Sequence, residues 1–144
     1  MQESAKEALI AGLNEDLAHE YQAVIMYATY ASMVTGMHRP TLKAFFETEI
    51  SEELAHAQLL AEKITALGGK PTTRPAEVVY HGTPREMLEE VRKAEAETIQ
   101  RYVQRRRQAE DFGDLGLAVD LDDIIRDETG HKEETEKLLR GMEN

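Results

Sequence analysis

The chain has no cysteine, so it forms no disulfide and offers no thiolate to a zinc ribbon, an iron centre or a nucleophilic mechanism. Any metal it binds must be held by oxygen and imidazole. Long apolar runs are missing too. No stretch approaches the ~18 residues of a membrane span, and the opening "MQESAKEALIAGLNED" spreads charges where a secretory segment needs an apolar block. These absences predict a cytoplasmic chain with no membrane partner. Positive charge is scarce: 17 Lys and Arg stand against 28 Asp and Glu, a net charge of −11 that repels nucleic acid and favours cations. The one basic cluster, Arg105 to Arg107, lies beside Glu110 and Asp111 and is expected on a solvated or inter-subunit salt-linked face. With 144 residues, one domain with a full core is expected.

Glycine and proline punctuate four helical segments. The first runs from about Ser4 to Val34 and stops at "TGMHRP"; the second runs from about Pro40 to Leu67 and ends at Gly68 and Gly69. The third opens at "TPRE", where Thr83 can cap, Pro84 suits the first helical position and Glu86 completes a capping box. It ends near Phe112. The fourth runs from about Leu115 to Gly141, with Asp114 placed to cap it. Residues 69–83 have no helical pattern and are long enough to run the length of a bundle at ~3.3 Å per residue. "EVVYH" within them alternates like a strand, but a single strand has no partner and is read as extended loop. The expectation is an all-α four-helix bundle with one long crossover between the second and third helices.

Each helix places a Glu near the middle of its apolar seam. The seams read Leu13, Leu17, Glu20, Val24, Tyr27, Ala31; Phe46, Ile50, Glu53, Ala57, Leu60; Leu88, Val91, Glu95, Tyr102, Ala109; and Leu121, Ile124, Glu128, His131, Thr135, Leu138, Met142. Four buried carboxylates repel one another unless something neutralises them. Two divalent cations would, with neutral imidazoles completing the coordination.

A repeat supports that reading. Glu20 and Glu95, Tyr27 and Tyr102, Glu53 and Glu128, and His56 and His131 are each 75 residues apart. Composition alone supplies roughly one Glu-x-x-His by chance. It does not supply a second at an offset shared by two other pairs. On a helix, positions three apart share a face, so each step can put an oxygen and a nitrogen on one metal. Glu20 and Glu95 are then terminal, and Glu53 and Glu128 are free to bridge.

The stretches "LNEDLAHEYQAVIMY", "SEELAHAQLLAEKI" and "IIRDETGHKEETEKL" resemble the first, second and fourth helix motifs of the ferritin-like superfamily, most closely its bacterioferritin branch. The resemblance spans residues 5–141. It implies a di-iron site on Glu20, Glu53, His56, Glu95, Glu128 and His131 that reacts with dioxygen or peroxide. It implies a hydrogen bond from Tyr27 to a ligand carboxylate, or a redox role for that residue, a similar supporting role for Tyr102, and Asp127 orienting the His of the opposite motif. Leu54 stands where that branch has its haem-ligating Met, so no haem is expected. The 13 residues after His131 finish a fourth helix but do not add the short fifth helix of the 24-subunit cage.

The leading expectation is a di-iron oxidase or peroxidase consuming Fe(II) with dioxygen or hydrogen peroxide, as a homodimer or larger homo-oligomer with an external electron donor. An iron-storing shell and a di-manganese catalase-like enzyme remain the alternatives, since such ligands do not choose sharply between iron and manganese. Glu49 and Glu52 are read either as iron guides or as a solvated acidic face. His19, His38 and His81 are expected at the surface, and Met26, Met33 and Met37 in packing.

Overall fold

The computed structural model describes residues 2–142 and contains four helices: α1 (Gln2–Met33), α2 (Arg39–Ala66), α3 (Pro84–Phe112) and α4 (Leu115–Met142). Their ends follow the local chemistry. After α1, Arg39 Nη1 donates to the carbonyls of Ala31, Ser32 and Val34, and Gly36 takes a φ of +96°. At the start of α3 the Glu86 N–H donates to Thr83 Oγ1 at 3.1 Å, while the Thr83 hydroxyl donates to Glu86 Oε1 at 3.0 Å. Asp114 Oδ1 accepts the Leu117 N–H at 3.0 Å and caps α4.

After a turn at 67–68, residues 69–81 run extended along one stripe of α1. Asn14 brackets the link, donating to the Lys70 carbonyl at 3.1 Å and accepting the Thr72 N–H at 2.8 Å. One turn on, the Ala76 N–H donates to the Ala18 carbonyl. Gln22 Nε2 then donates to the Glu77 carbonyl at 2.5 Å, and the Tyr30 hydroxyl to the Val79 carbonyl at 2.6 Å. The link therefore travels in the direction of α1 and delivers α3 to the end where α2 began. Contacts of α3 with α1 run the other way, Tyr102 meeting Glu20 and Arg105 meeting Asp16, so α2 and α3 are parallel. The "EVVYH" alternation forms no strand among the described residues. His81, half-buried, pairs with Glu90 at 2.9 Å and ties the end of the link to α3.

Two apolar clusters fill the bundle. One gathers Leu13, Leu17, Leu60, Ile64, Leu117 and Leu121 with others at one end. At the other end Tyr30, Val34, Phe46, Leu88, Val91 and Leu139 pack together. Between them lies a layer of buried polar side chains, Glu20, Glu49, Glu53, His56, Glu95, Glu128 and Thr135. Leu139 is the buried residue of the last turn, where strict seam spacing pointed to Leu138. Met26 is buried, whereas Met33 and Met37, expected in packing, are exposed.

Arg105 departs from its expected surface position. Its Nε donates to Asp16 Oδ2 at 2.8 Å, with Asp16 only 2% exposed. The guanidinium occupies the space that Gly12 leaves: a Cβ there would meet Arg105 Nη1 at 2.0 Å. Removing one partner of a buried pair strands the other, so Arg105→Ala is expected to cost about 3 kcal/mol. A drop of roughly 10 °C in thermal midpoint would show it, and an unchanged midpoint would mean that Asp16 finds water instead. Arg106, by contrast, is a surface residue paired with Glu110 and Asp122.

Candidate metal centre

The polar layer collects its groups from all four helices, because α1, α3 and α4 each bring one buried Glu, and α2 brings two, at the level where the apolar clusters part. Glu20, Glu53, Glu95 and Glu128 are each 1 or 2% exposed. Ligand atoms from Glu20, Glu53, His56 and Glu128 lie within 4.8 Å of one another, and so do those from Glu49, Glu53 and His131. Glu53 belongs to both groups.

Around His56, Nδ1 lies 3.3 Å from Glu128 Oε1 and 3.7 Å from Glu20 Oε2. Around His131, Nδ1 lies 2.8 Å from Glu49 Oε2, 3.5 Å from Glu53 Oε1 and 3.9 Å from Glu128 Oε1. Donor atoms about 2.1 Å from one ion stand about 3.0 Å apart at right angles and about 3.4 Å apart at the tetrahedral angle. The observed spacings, 2.8 to 3.9 Å, bracket those values. Seven buried side-chain atoms have no hydrogen-bond partner among the described residues: one oxygen each from Glu20, Glu49, Glu53, Glu95 and Glu128, and Nδ1 of both histidines. Buried polar atoms are nearly always satisfied, so this layer of unpaired acceptors fits a divalent cation pair.

Outer contacts hold the inner groups in place. His56 Nε2 faces Asp127 Oδ2 at 3.1 Å, and His131 Nε2 is hydrogen-bonded to Glu52, which turns both Nδ1 atoms inward. The hydroxyl of Tyr27 donates to Glu95 Oε2 at 3.0 Å and that of Tyr102 to Glu20 Oε1 at 2.5 Å. Each tyrosine thus serves the carboxylate of the other half of the chain.

A sequence profile of the ferritin family, described as the ferritin-like domain, matches residues 10–144. The chain belongs to the ferritin-like family. This ferritin-like chain is 30% identical to a bacterioferritin of Desulfovibrio desulfuricans over 130 residues, 90% of its own length and 73% of the relative's. It superposes on a ferritin-like, diiron-carboxylate protein of Bacillus anthracis with a TM-score of 0.92 at 52% identity, covering 94% of this chain and 97% of that one. The X-ray structure of the D. desulfuricans bacterioferritin gives 0.89 at 28% identity, with coverages of 100% and 85%. A Dps from Thermosynechococcus elongatus shares the fold at 22% identity and a TM-score of 0.90, with coverages of 96% and 94%.

In this ferritin-like bundle the metal-free layer balances its charge with protons. Burial opposes protonation of His56, but hydrogen bonds and charge from Glu128 and Glu20 overcome it and push the imidazole up to about 11. His131 is pushed to about 9 against burial, by Glu49 first and then by Glu128 and Glu52. Burial, reinforced by Glu20 and Glu128, lifts Glu53 well above the ordinary carboxyl range. Glu95 rises to about 8, through burial and the Glu128 charge, despite its bond from Tyr27. Glu20 goes the other way: burial raises it, but His56, Glu53 and Tyr102 hold it below its ordinary value.

The structure brings Glu20, Glu53, His56, Glu128 and His131 into the two groups. Glu95 lies in the same layer with one oxygen taken by Tyr27, outside the His131 group. Two residues were not singled out as site residues. Glu52 is the counterpart of Asp127 at the same 75-residue offset, a signal available in the sequence. Glu49 is only 5% exposed, so a solvated face does not describe it; its repeat counterpart Ile124 lies in the apolar seam, which signals an inward position but not a carboxylate.

Proposed function

We propose that the bundle binds two iron ions per chain between Glu53 and Glu128 and oxidises Fe(II) with dioxygen or hydrogen peroxide. The observation that carries this reading is the convergence of unpaired buried carboxylate oxygens and imidazole nitrogens into two groups sharing Glu53. Two relatives support it: the B. anthracis protein is described as diiron-carboxylate, and the diiron site of the D. desulfuricans bacterioferritin is described in different catalytic states.

Glu20, Glu53, His56 and Glu128 would hold one ion, and His131 with Glu53, Glu128 and Glu95 the other. Iron there supplies one-electron chemistry: two Fe(II) each give one electron, reducing dioxygen to hydrogen peroxide, or hydrogen peroxide to two waters, with two protons taken up. The chain's own residues supply the rest. His56 and His131 give up their protons when their Nδ1 atoms are taken, and Asp127 and Glu52 keep the rings from turning. Tyr27 and Tyr102 fix the carboxylates of Glu95 and Glu20 while leaving one oxygen of each free. Apolar clusters close the layer above and below, while Asp127 and Glu52 mark its solvent-facing side. The same reading takes an external electron donor and a second copy of the chain as partners.

Aerobic titration of the metal-free protein with Fe(II) tests this. Oxidation should saturate at about two iron per chain. Oxidation continuing far beyond that would favour a storing shell. An absence of iron oxidation, with peroxide turnover on manganese instead, would favour the catalase-like reading.

A further inference from the structure

One buried carboxylate of the layer has no counterpart in the repeat. Glu52 and Glu53 match Asp127 and Glu128 in the other half, but Glu49 matches Ile124. Ile124 sits in the apolar core, 2% exposed, while Glu49 at 5% exposed turns a carboxylate into the polar layer. No Lys or Arg pairs with it among the described ion pairs. Its Oε2 stands 2.8 Å from His131 Nδ1, yet neither atom is satisfied, because the two do not meet along a hydrogen-bond direction. His131 already makes its hydrogen bond through Nε2, to Glu52. Two unpaired atoms at that separation have the bite of neighbouring ligands on one ion. Glu95, the repeat counterpart of Glu20, is meanwhile held by Tyr27 and lies outside the His131 group.

We propose that Glu49 is a seventh metal ligand, bound directly to the ion on the His131 side, which makes the two metal positions chemically unequal. This rests on the dinuclear reading above and adds to it. Five carboxylates around two divalent ions leave the site one negative charge in excess, and the excess lies at the His131 position. That position therefore binds a divalent cation more tightly than the four-carboxylate set alone would allow, and it tolerates a trivalent product better.

The test is a titration of the metal-free full-length chain with Co(II), which is not oxidised by air on this timescale, following visible absorption and heat. The wild type should bind two Co(II) per chain in distinguishable steps. Glu49→Gln, which keeps the shape and removes the charge, should leave the step at His56 unchanged and weaken the other at least about tenfold, with an altered cobalt spectrum. Glu49→Ile, copying the other half of the repeat, should do the same and raise the thermal midpoint of the metal-free protein, which shows that a lost step is not lost folding. If both variants keep both affinities and the wild-type spectrum, Glu49 is not a ligand, and the dinuclear reading survives without it. Should the folded wild type bind no Co(II), the dinuclear reading itself fails and the role of Glu49 with it.

Discussion

Glu53→Gln is expected to slow Fe(II) oxidation at least about a hundredfold while leaving the metal-free protein as stable as the wild type near pH 7. Glu53 is the residue common to both groups of ligand atoms, so its loss removes an oxygen from each metal position. Even outer hydrogen-bond partners of metal ligands cost up to about a hundredfold when removed, and a shared direct ligand exceeds them. The stability side has a separate cause. Burial and the charges of Glu20 and Glu128 raise this carboxyl well above its ordinary range and so favour its neutral form, whose shape and polarity glutamine nearly matches. Rapid-mixing oxidation assays and thermal unfolding of the metal-free variant together check both halves. A variant that oxidises iron at the wild-type rate would remove Glu53 from the site. One that fails to fold would show that the carboxyl has a structural role beyond metal binding.

The second large effect is stabilisation by metal, and it should depend on pH. A redox-inert divalent ion such as Zn(II) is expected to raise the thermal midpoint by roughly 10 °C or more when present at about a thousand times its dissociation constant, which contributes about 4 kcal/mol per ion. At one fixed Zn(II) concentration the rise should be larger at pH 8.5 than at pH 6. In the metal-free fold His56 and His131 are raised from 6.5 to about 11 and about 9, and Glu95 from 4.5 to about 8. A raised value means that the fold binds the proton more tightly than the unfolded chain does. Each such contribution is complete below the group's unfolded value and is lost as pH rises through its folded value. The metal-free protein therefore weakens between about pH 4.5 and 8 through Glu95, from about 6.5 to 9 through His131, and above 6.5 through His56. Metal ions compete for the same atoms, so they bind more tightly as the protons leave. The tighter binding widens the gap between loaded and metal-free protein as pH rises. Equal midpoint shifts at the two pH values would contradict a layer neutralised by protons.

Much of this molecule could be read before its structure. Thr83, Pro84, Glu86 and Asp114 are local signals acting on the backbone next to them, and the helix ends they predict lie within two residues of those observed. Length and the lack of a helical pattern made the crossover legible, since residues 69–83 are long enough to return along a helix. The paired Glu-x-x-His steps were legible because a repeat carries its own control: the second copy separates pattern from composition. What escaped was what the repeat does not contain. Glu49 corresponds to Ile124 in the other half, so the repeat offers no matching carboxylate, and iron guide and solvated face stood as equal readings until the burial of the side chain decided against the second. Arg105 was grouped with Arg106 and Arg107 by charge, although Gly12 carried a signal. A glycine inside a helix costs about 1 kcal/mol relative to alanine and often marks a close approach, here that of the guanidinium. Leu139 replaced Leu138 in the core because a straight helix drifts by about 20° per heptad from a strict seam, and the drift is largest far from the seam's centre.

The central claim is two metal ions side by side between Glu53 and Glu128. Anomalous diffraction at the iron edge from crystals loaded anaerobically with Fe(II) tests it most directly. The account predicts two peaks about 3.5 to 4 Å apart in the polar layer, one beside His56 Nδ1 and one beside His131 Nδ1. A single peak, or iron only on the acidic outer faces, would contradict it.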